Sequence, residues 1–140
     1  MEALGRLFDI VPVADAVFIN VKDCGGITFV GVLAAGDTWT LQEADAASGG
    51  TEQDLVVIDH SYVQTTGAGA DTWTKLTQTA AATEVTSSAQ DAVVIHVDVE
   101  ELSDGFKFLK LTSTSTGTVT AILTDLKVQR AAANLPARGV

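Results

Sequence analysis

Residues 92–99, AVVIHVDV, set Val93, Ile95, Val97 and Val99 on one side of an extended chain and His96 and Asp98 on the other, with Glu100 continuing the polar side. Successive side chains of a strand point to opposite faces, so this period of two marks a strand with one buried and one solvated face. The same texture recurs in AVFINVKD (16–23), DTWTLQEA (37–44) and TGTVTAIL (116–123). Valine and threonine number 17 and 18 of the 140 residues and fill much of these runs. β-Branched side chains lose little freedom on a pleated surface and pack well there, so the composition points to sheets rather than helices.

Upstream, Val17, Ile19 and Val21 share a face before the turn Asp23-Cys24-Gly25-Gly26. The returning run, residues 27–35, is apolar on both faces, with Ile27, Phe29 and Leu33 against Val30 and Val32. That pattern predicts a central strand covered on both sides. Trp39 and Leu41 point inward from the next strand, residues 55–64 form a further apolar strand, and residues 79–90, rich in small side chains, read as a loop. Downstream, Phe106 and Phe108 share one face and Leu109 and Leu111 the other, a phase change that one bulge residue produces. The last strand is expected to bend near Thr124, because Leu126 and Val128 are out of phase with Val119, Ala121 and Leu123.

Some eight strands with glycine-rich turns predict an all-β chain: a two-sheet antiparallel β-sandwich, jelly-roll-like, over residues 16–129. An N-terminal arm (1–15) and a C-terminal arm (130–140) flank it. In the first arm Leu4, Leu7, Phe8 and Ile10 approach the spacing of a short helical turn before Pro12; the second carries Arg130, Leu135, Pro136 and Arg138.

A chain of 140 residues is one domain by its length and needs no covalent staple, and the single Cys24 offers none. Hydrophobic residues make up 46% and charged residues only 19%, against about 25% charged in an ordinary soluble domain. Neighbouring molecules are therefore expected to cover part of the surface. No run approaches the roughly 20 apolar residues of a membrane span, and the amino end lacks the charge pattern of a signal peptide. The net charge of −10 is uneven: residues 107–138 carry five basic side chains against Asp125, +4, which leaves −14 on residues 1–106. A nucleic-acid partner requires clustered Lys and Arg, so none is expected, and no membrane partner either.

Asp59-His60 and His96 with Asp98 are the one combination that a sheet could gather around a metal. Zinc ligands, however, are usually closely spaced, and these histidines lie 36 residues apart, so they read as polar-face residues. Asp98, Glu100, Glu101 and Asp104 lack the register of a calcium loop. Cys24 reads as a small turn residue rather than a nucleophile, since nothing singles out a histidine to activate it. Trp39, in phase with Leu41, reads as core; Trp73, in a second DTWT at 71–74, could cap the sandwich, meet a neighbour or stack on a sugar. No catalytic residue, cofactor or metal ligand is assigned, and a non-enzyme is expected.

Two longer segments carry a family texture: VFINVKDCGGITFVGVLAAGDTWTLQEADAASGG (17–50) and DGFKFLKLTSTSTGTVTAILTDLKVQR (104–130). Their strand T-x-T-L-Q-E-A-D before a polar turn, and G-F-K-F-x-K-L-T leading across a Thr/Gly turn into T-V-T-A-I-L, resemble small structural proteins of tailed bacteriophages. The likeness is to head decoration (capsid cement) or minor capsid proteins of phages that infect actinobacteria, over residues 13–130. It implies a virion protein on the capsid exterior, assembled in the host cytoplasm, that clamps neighbouring major capsid subunits as a homo-oligomer, often a trimer. Other virion modules of tail, collar or fibre, or a glycan-binding sandwich, are the alternatives. The interface is expected on the arms, at Leu4, Leu7, Phe8, Ile10, Arg130, Leu135 and Arg138.

Overall fold

A computed structural model describes residues 3–33, 36–48, 50–55, 58, 60–64, 71–76, 78, 84–87, 92–114 and 117–139. Among them lie eleven strands: β1 (Phe8–Pro12), β2 (Phe18–Asn20), β3 (Gly26–Leu33), β4 (Asp37–Ala44), β5 (Glu52–Asp54), β6 (His60–Gln64), β7 (Thr74–Lys75), β8 (Glu84–Ser87), β9 (Ala92–Asp98), β10 (Phe108–Ser113) and β11 (Gly117–Thr124). Single 3-10 turns cover Val99–Glu101 and Ala132–Asn134. Every strand pairing is antiparallel. One sheet runs β1-β11-β3-β9-β6-β7; the other runs β2-β10-β4, with β5 and β8 end to end on the far edge of β4. The predicted two-sheet antiparallel sandwich is the observed architecture.

The period of two builds the core. Ile27, Phe29 and Leu33 of β3, Val93, Ile95 and Val97 of β9, and Ala121 and Leu123 of β11 face Ile19 of β2, Trp39 and Leu41 of β4, and Leu109 and Leu111 of β10. Each such aliphatic or aromatic burial stabilises by about 1.5–3 kcal/mol. The Trp39 ring packs closely on Gly31 of β3: a Cβ there would overlap ring atoms Cζ2 and Cη2, so the missing side chain is what lets the indole sit between the sheets. A smaller cluster, Phe18, Ala44 and Phe108 with Ala47, forms on the outward side of the five-stranded sheet. There the Lys110 ammonium lies 4.5 Å over the Phe18 ring and 3.0 Å from Glu52 Oε2.

Several expectations change. The phase change at Phe106 and Phe108 needs no bulge: Phe106 belongs to the preceding turn, and from Phe108 onward β10 pairs with β4 in unbroken register. The small-residue stretch 79–90 holds strand β8, which pairs with Asp37–Thr40; its residues 79–83 and 88–90 lie outside the described ones. Of the strand expected over 55–64 the described residues hold β6, while residues 56, 57 and 59 lie outside the described ones. The bend near Thr124 is the end of β11, where Asp125 takes a left-handed φ of 52° and turns the chain. Val30 and Val32 were expected under a second layer, yet Val32 is 62% exposed, and no element of the described chain lies over it.

The terminal segments are also built differently. Ala3 to Leu7 makes the helical turn, with the Leu7 N–H donating to the Ala3 carbonyl at 2.8 Å. Phe8–Pro12, placed by the sequence in an arm, is an edge strand of the sheet, paired with β11 from Phe8↔Thr124 to Pro12↔Thr120. The C-terminal segment folds back on the chain's own start. Arg130 N–H donates to the Gly5 carbonyl at 2.8 Å, and Asn20 N–H to the Arg138 carbonyl at 2.9 Å. Gly5 has φ +79°, and a Cβ there would run into the Arg130 carbonyl, so this crossing admits no side chain.

Candidate functional site

The outward side of the six-stranded sheet is the most distinctive surface. Register sets two rows across it: Ile10, Ile122, Thr28, His96 and His60, then Pro12, Thr120, Val30, Val94 and Tyr62. Beyond them lie Thr118, Val32, Ala92 and Gln64. Val32 is 62% exposed and Ile10 45%, while Val30, Val94, Ile122 and Tyr62 are half-buried by one another. From β1 to β6, Asp98 is the only Asp, Glu, Lys or Arg at these described outward positions, and it lies at one end. A chain of net charge −10 thus keeps its charge to the margins of one broad sheet face, with Asp98 at one end and Lys75 of β7 opposite Tyr62 at the rim. Threonine and valine recur there because both fit the pleat, and the valines and isoleucines resist hydration.

The seven residues expected at an interface divide. Leu7 is 66% and Ile10 45% exposed, and Arg130 is exposed too. Leu4, Phe8 and Leu135 are half-buried: Leu4 bridges to Phe8, and Leu135 lies against Gly5. Arg138 is a correction. It is 8% exposed, its Nε donates to Asp9 Oδ2 at 3.0 Å, and its Nη1 to the Asn20 carbonyl at 3.3 Å, so its charge is spent inside its own chain. The sequence reading missed Asp9 as its partner because 129 positions separate them. It also missed the outer face, although the two-sided apolar pattern of β3 was its signal.

Cys24 belongs to the core rather than to an accessible turn: it is fully buried, its Sγ lies 3.1 Å from the Val21 carbonyl, and burial pushes its thiol up to about 11. A thiol so buried is a packing group, not a nucleophile. Trp39 is 1% exposed, as expected of a core residue, whereas Trp73 is 46% exposed beside the short edge strand β7. Glu43 of the TLQEAD strand is buried and structural. Its carboxylate accepts from Ser103 N–H at 2.8 Å, from Ser103 Oγ and from Gln53 Nε2 at 2.6 Å, tying β4 to the turn before β10. His60 and His96 stand directly opposite each other, with ring centroids 6.3 Å apart; Asp59 lies outside the described residues.

Among the described residues no helix is long and apolar enough to cross a membrane. No protein-family model matches the chain, and no curated protein or solved structure is found similar to it.

Proposed function

We propose that this chain is a non-enzymatic structural protein of a tailed-phage virion, one that binds the outside of an assembled capsid and clamps neighbouring major capsid subunits. The observation that carries the reading is the uncharged outer face from Ile10 to Tyr62. Burying apolar surface gains about 25 cal/mol per Å2, and a face with no ion at its centre sets no ionic desolvation cost against that gain. The shared core makes the sandwich stiff, so this face stays at a fixed distance from other contacts. Exposed Leu7 and Val128 add further apolar surface outside that face.

Binding only to the assembled lattice stabilises that lattice by linkage, and a homo-oligomer, a trimer by preference, adds avidity. The protein would meet its shell in the host cytoplasm and remain on the virion exterior. Its partner is the major capsid protein, with no role for nucleic acid or membrane. Purified protein mixed with undecorated heads should co-sediment and raise the temperature at which they rupture. Val32→Asp with Ile10→Glu should abolish both effects and leave the fold intact. Failure of the wild type to bind, or equal binding by the charged variant, overturns the reading. Binding to tails or collars but not to heads would move it to another virion module. Half-exposed Trp73 favours a second reading, a glycan-binding module, which requires oligosaccharide binding that Trp73→Ala removes.

A further inference from the structure

We infer that His60, Asp98 and Glu101 form a binding site for a divalent transition-metal cation of the zinc type. The three side chains come from three elements: His60 from the start of β6, Asp98 from the end of β9, and Glu101 from the 3-10 turn that follows. Antiparallel register brings them together. His60 pairs with His96, Asp98 lies two residues further along the same face of β9, and the turn carries Glu101 back toward them. One ligand atom from each lies within 4.8 Å of the other two. Tetrahedral zinc with bonds of about 2.1 Å sets its ligand atoms about 3.4 Å apart. Asp98 and Glu101 are exposed, so side-chain rotation can close that difference without moving the backbone.

Two neighbouring features suit the same ion. The His96 imidazole is held at both nitrogens, Nδ1 2.8 Å from Thr28 Oγ1 and Nε2 3.3 Å from Asp98 Oδ1. A ring fixed in this way orients the carboxylate it touches, as the outer partners of metal ligands do. Asp98 and Glu101 also line an open recess of about 550 Å3 with Gly25, Glu100 and Asp125. Among the described residues no Lys or Arg forms an ion pair with Glu100, Glu101 or Asp125, so the recess concentrates negative potential at the ligands. Carboxylates alone suit magnesium or calcium; the imidazole of His60 shifts the preference to a transition metal. His60 and His96 end the first row of the outer face, but the inference does not rest on the capsid-binding reading, since a cation here ties β6 to β9 whatever that face contacts.

The test titrates the tag-free full chain, stripped with a chelator, with zinc chloride by calorimetry and thermal unfolding, in parallel with calcium and magnesium chloride. One zinc per chain should bind and raise the unfolding temperature, with calcium and magnesium weaker by about tenfold or more. His60→Ala and Glu101→Gln should each weaken zinc by about tenfold or more, and His96→Ala by about tenfold through loss of orientation. Glu100→Gln, which lines the recess without supplying a ligand, should change affinity by less than about threefold. Metal-free Glu101→Gln should unfold at the wild-type temperature, because its side chain is exposed, so lost binding there is not lost folding. No saturable zinc binding, calcium binding as tight as zinc, or undiminished zinc binding in both His60→Ala and Glu101→Gln overturns the inference.

Discussion

The tetrapeptide Asp-Thr-Trp-Thr occurs at 37–40 and again at 71–74, and the two copies meet opposite fates. Trp39 is 1% exposed and Trp73 46%. The first copy opens β4, which has β10 along one edge, β8 and β5 along the other, and a second sheet over its inner face. The second leads into β7, two residues long and, among the described residues, paired with β6 alone at the rim of its sheet. Asp37 completes the first copy. Its carboxylate accepts from Trp39 Nε1 at 2.7 Å, from Ser113 Oγ, and from Thr114 N–H at 2.8 Å and Thr114 Oγ1 at 3.0 Å. In the second copy the Asp71 carbonyl accepts from Gln64 Nε2 at 3.0 Å. Identical residues are thus buried or exposed according to the number of neighbours their strand acquires, not according to their own chemistry.

The contrast can be broken at several points, the largest effect first. Trp39→Ala should cost about 3–5 kcal/mol in urea unfolding, because it empties the space between the sheets. Gly31→Ala should cost about 1–3 kcal/mol by pushing a methyl group into the Trp39 ring. In a Trp39→Leu background that penalty should largely disappear, and a double-mutant cycle reads the coupling; a cost independent of residue 39 would show that Gly31 serves the backbone instead.

Asp37→Asn should cost about 1–2 kcal/mol at neutral pH, since an amide reproduces only part of the acceptor set. Burial disfavours the charge on Asp37, but hydrogen bonds from Ser113, Trp39 and Thr114 outweigh it and hold the carboxyl below the usual aspartate range. A carboxyl lowered on folding contributes stability that is complete above its unfolded pKa of about 3.9 and is lost as pH falls through the folded value. The wild type should therefore lose its advantage over Asp37→Asn as the solution is acidified below about pH 4, and parallel acid curves for the two would contradict this account. Trp73→Ala should change stability by no more than about 0.5 kcal/mol, and a loss comparable to that of Trp39→Ala would erase the distinction between the copies.

The same contrast marks what a linear reading reaches. Val93, Ile95 and Val97 are buried as their alternation requires, and so are Trp39 and Leu41. β8 escaped notice because its four residues lie in a small-residue stretch without apolar alternation, and their pairing is supplied by the edge of β4. β1 was hidden by the near-helical spacing of Leu4, Leu7, Phe8 and Ile10, which belongs partly to the turn and partly to the strand. The candidate metal ligands escaped the spacing rule for zinc because a strand register, not a loop, brings His60 to His96 and Asp98.

By itself the sequence determined which side of β2, β4, β9 and β11 is apolar, since side-chain alternation follows from the covalent geometry of an extended chain. Only the tertiary structure decided which strands became central and which stayed at an edge, and that one apolar side of β3 would face outward rather than inward. It alone also joined Asp9 to Arg138 and His60 to His96. Those outcomes depend on pairings between residues far apart in the chain. They are chosen by the packing of the whole molecule, and no local pattern encodes them.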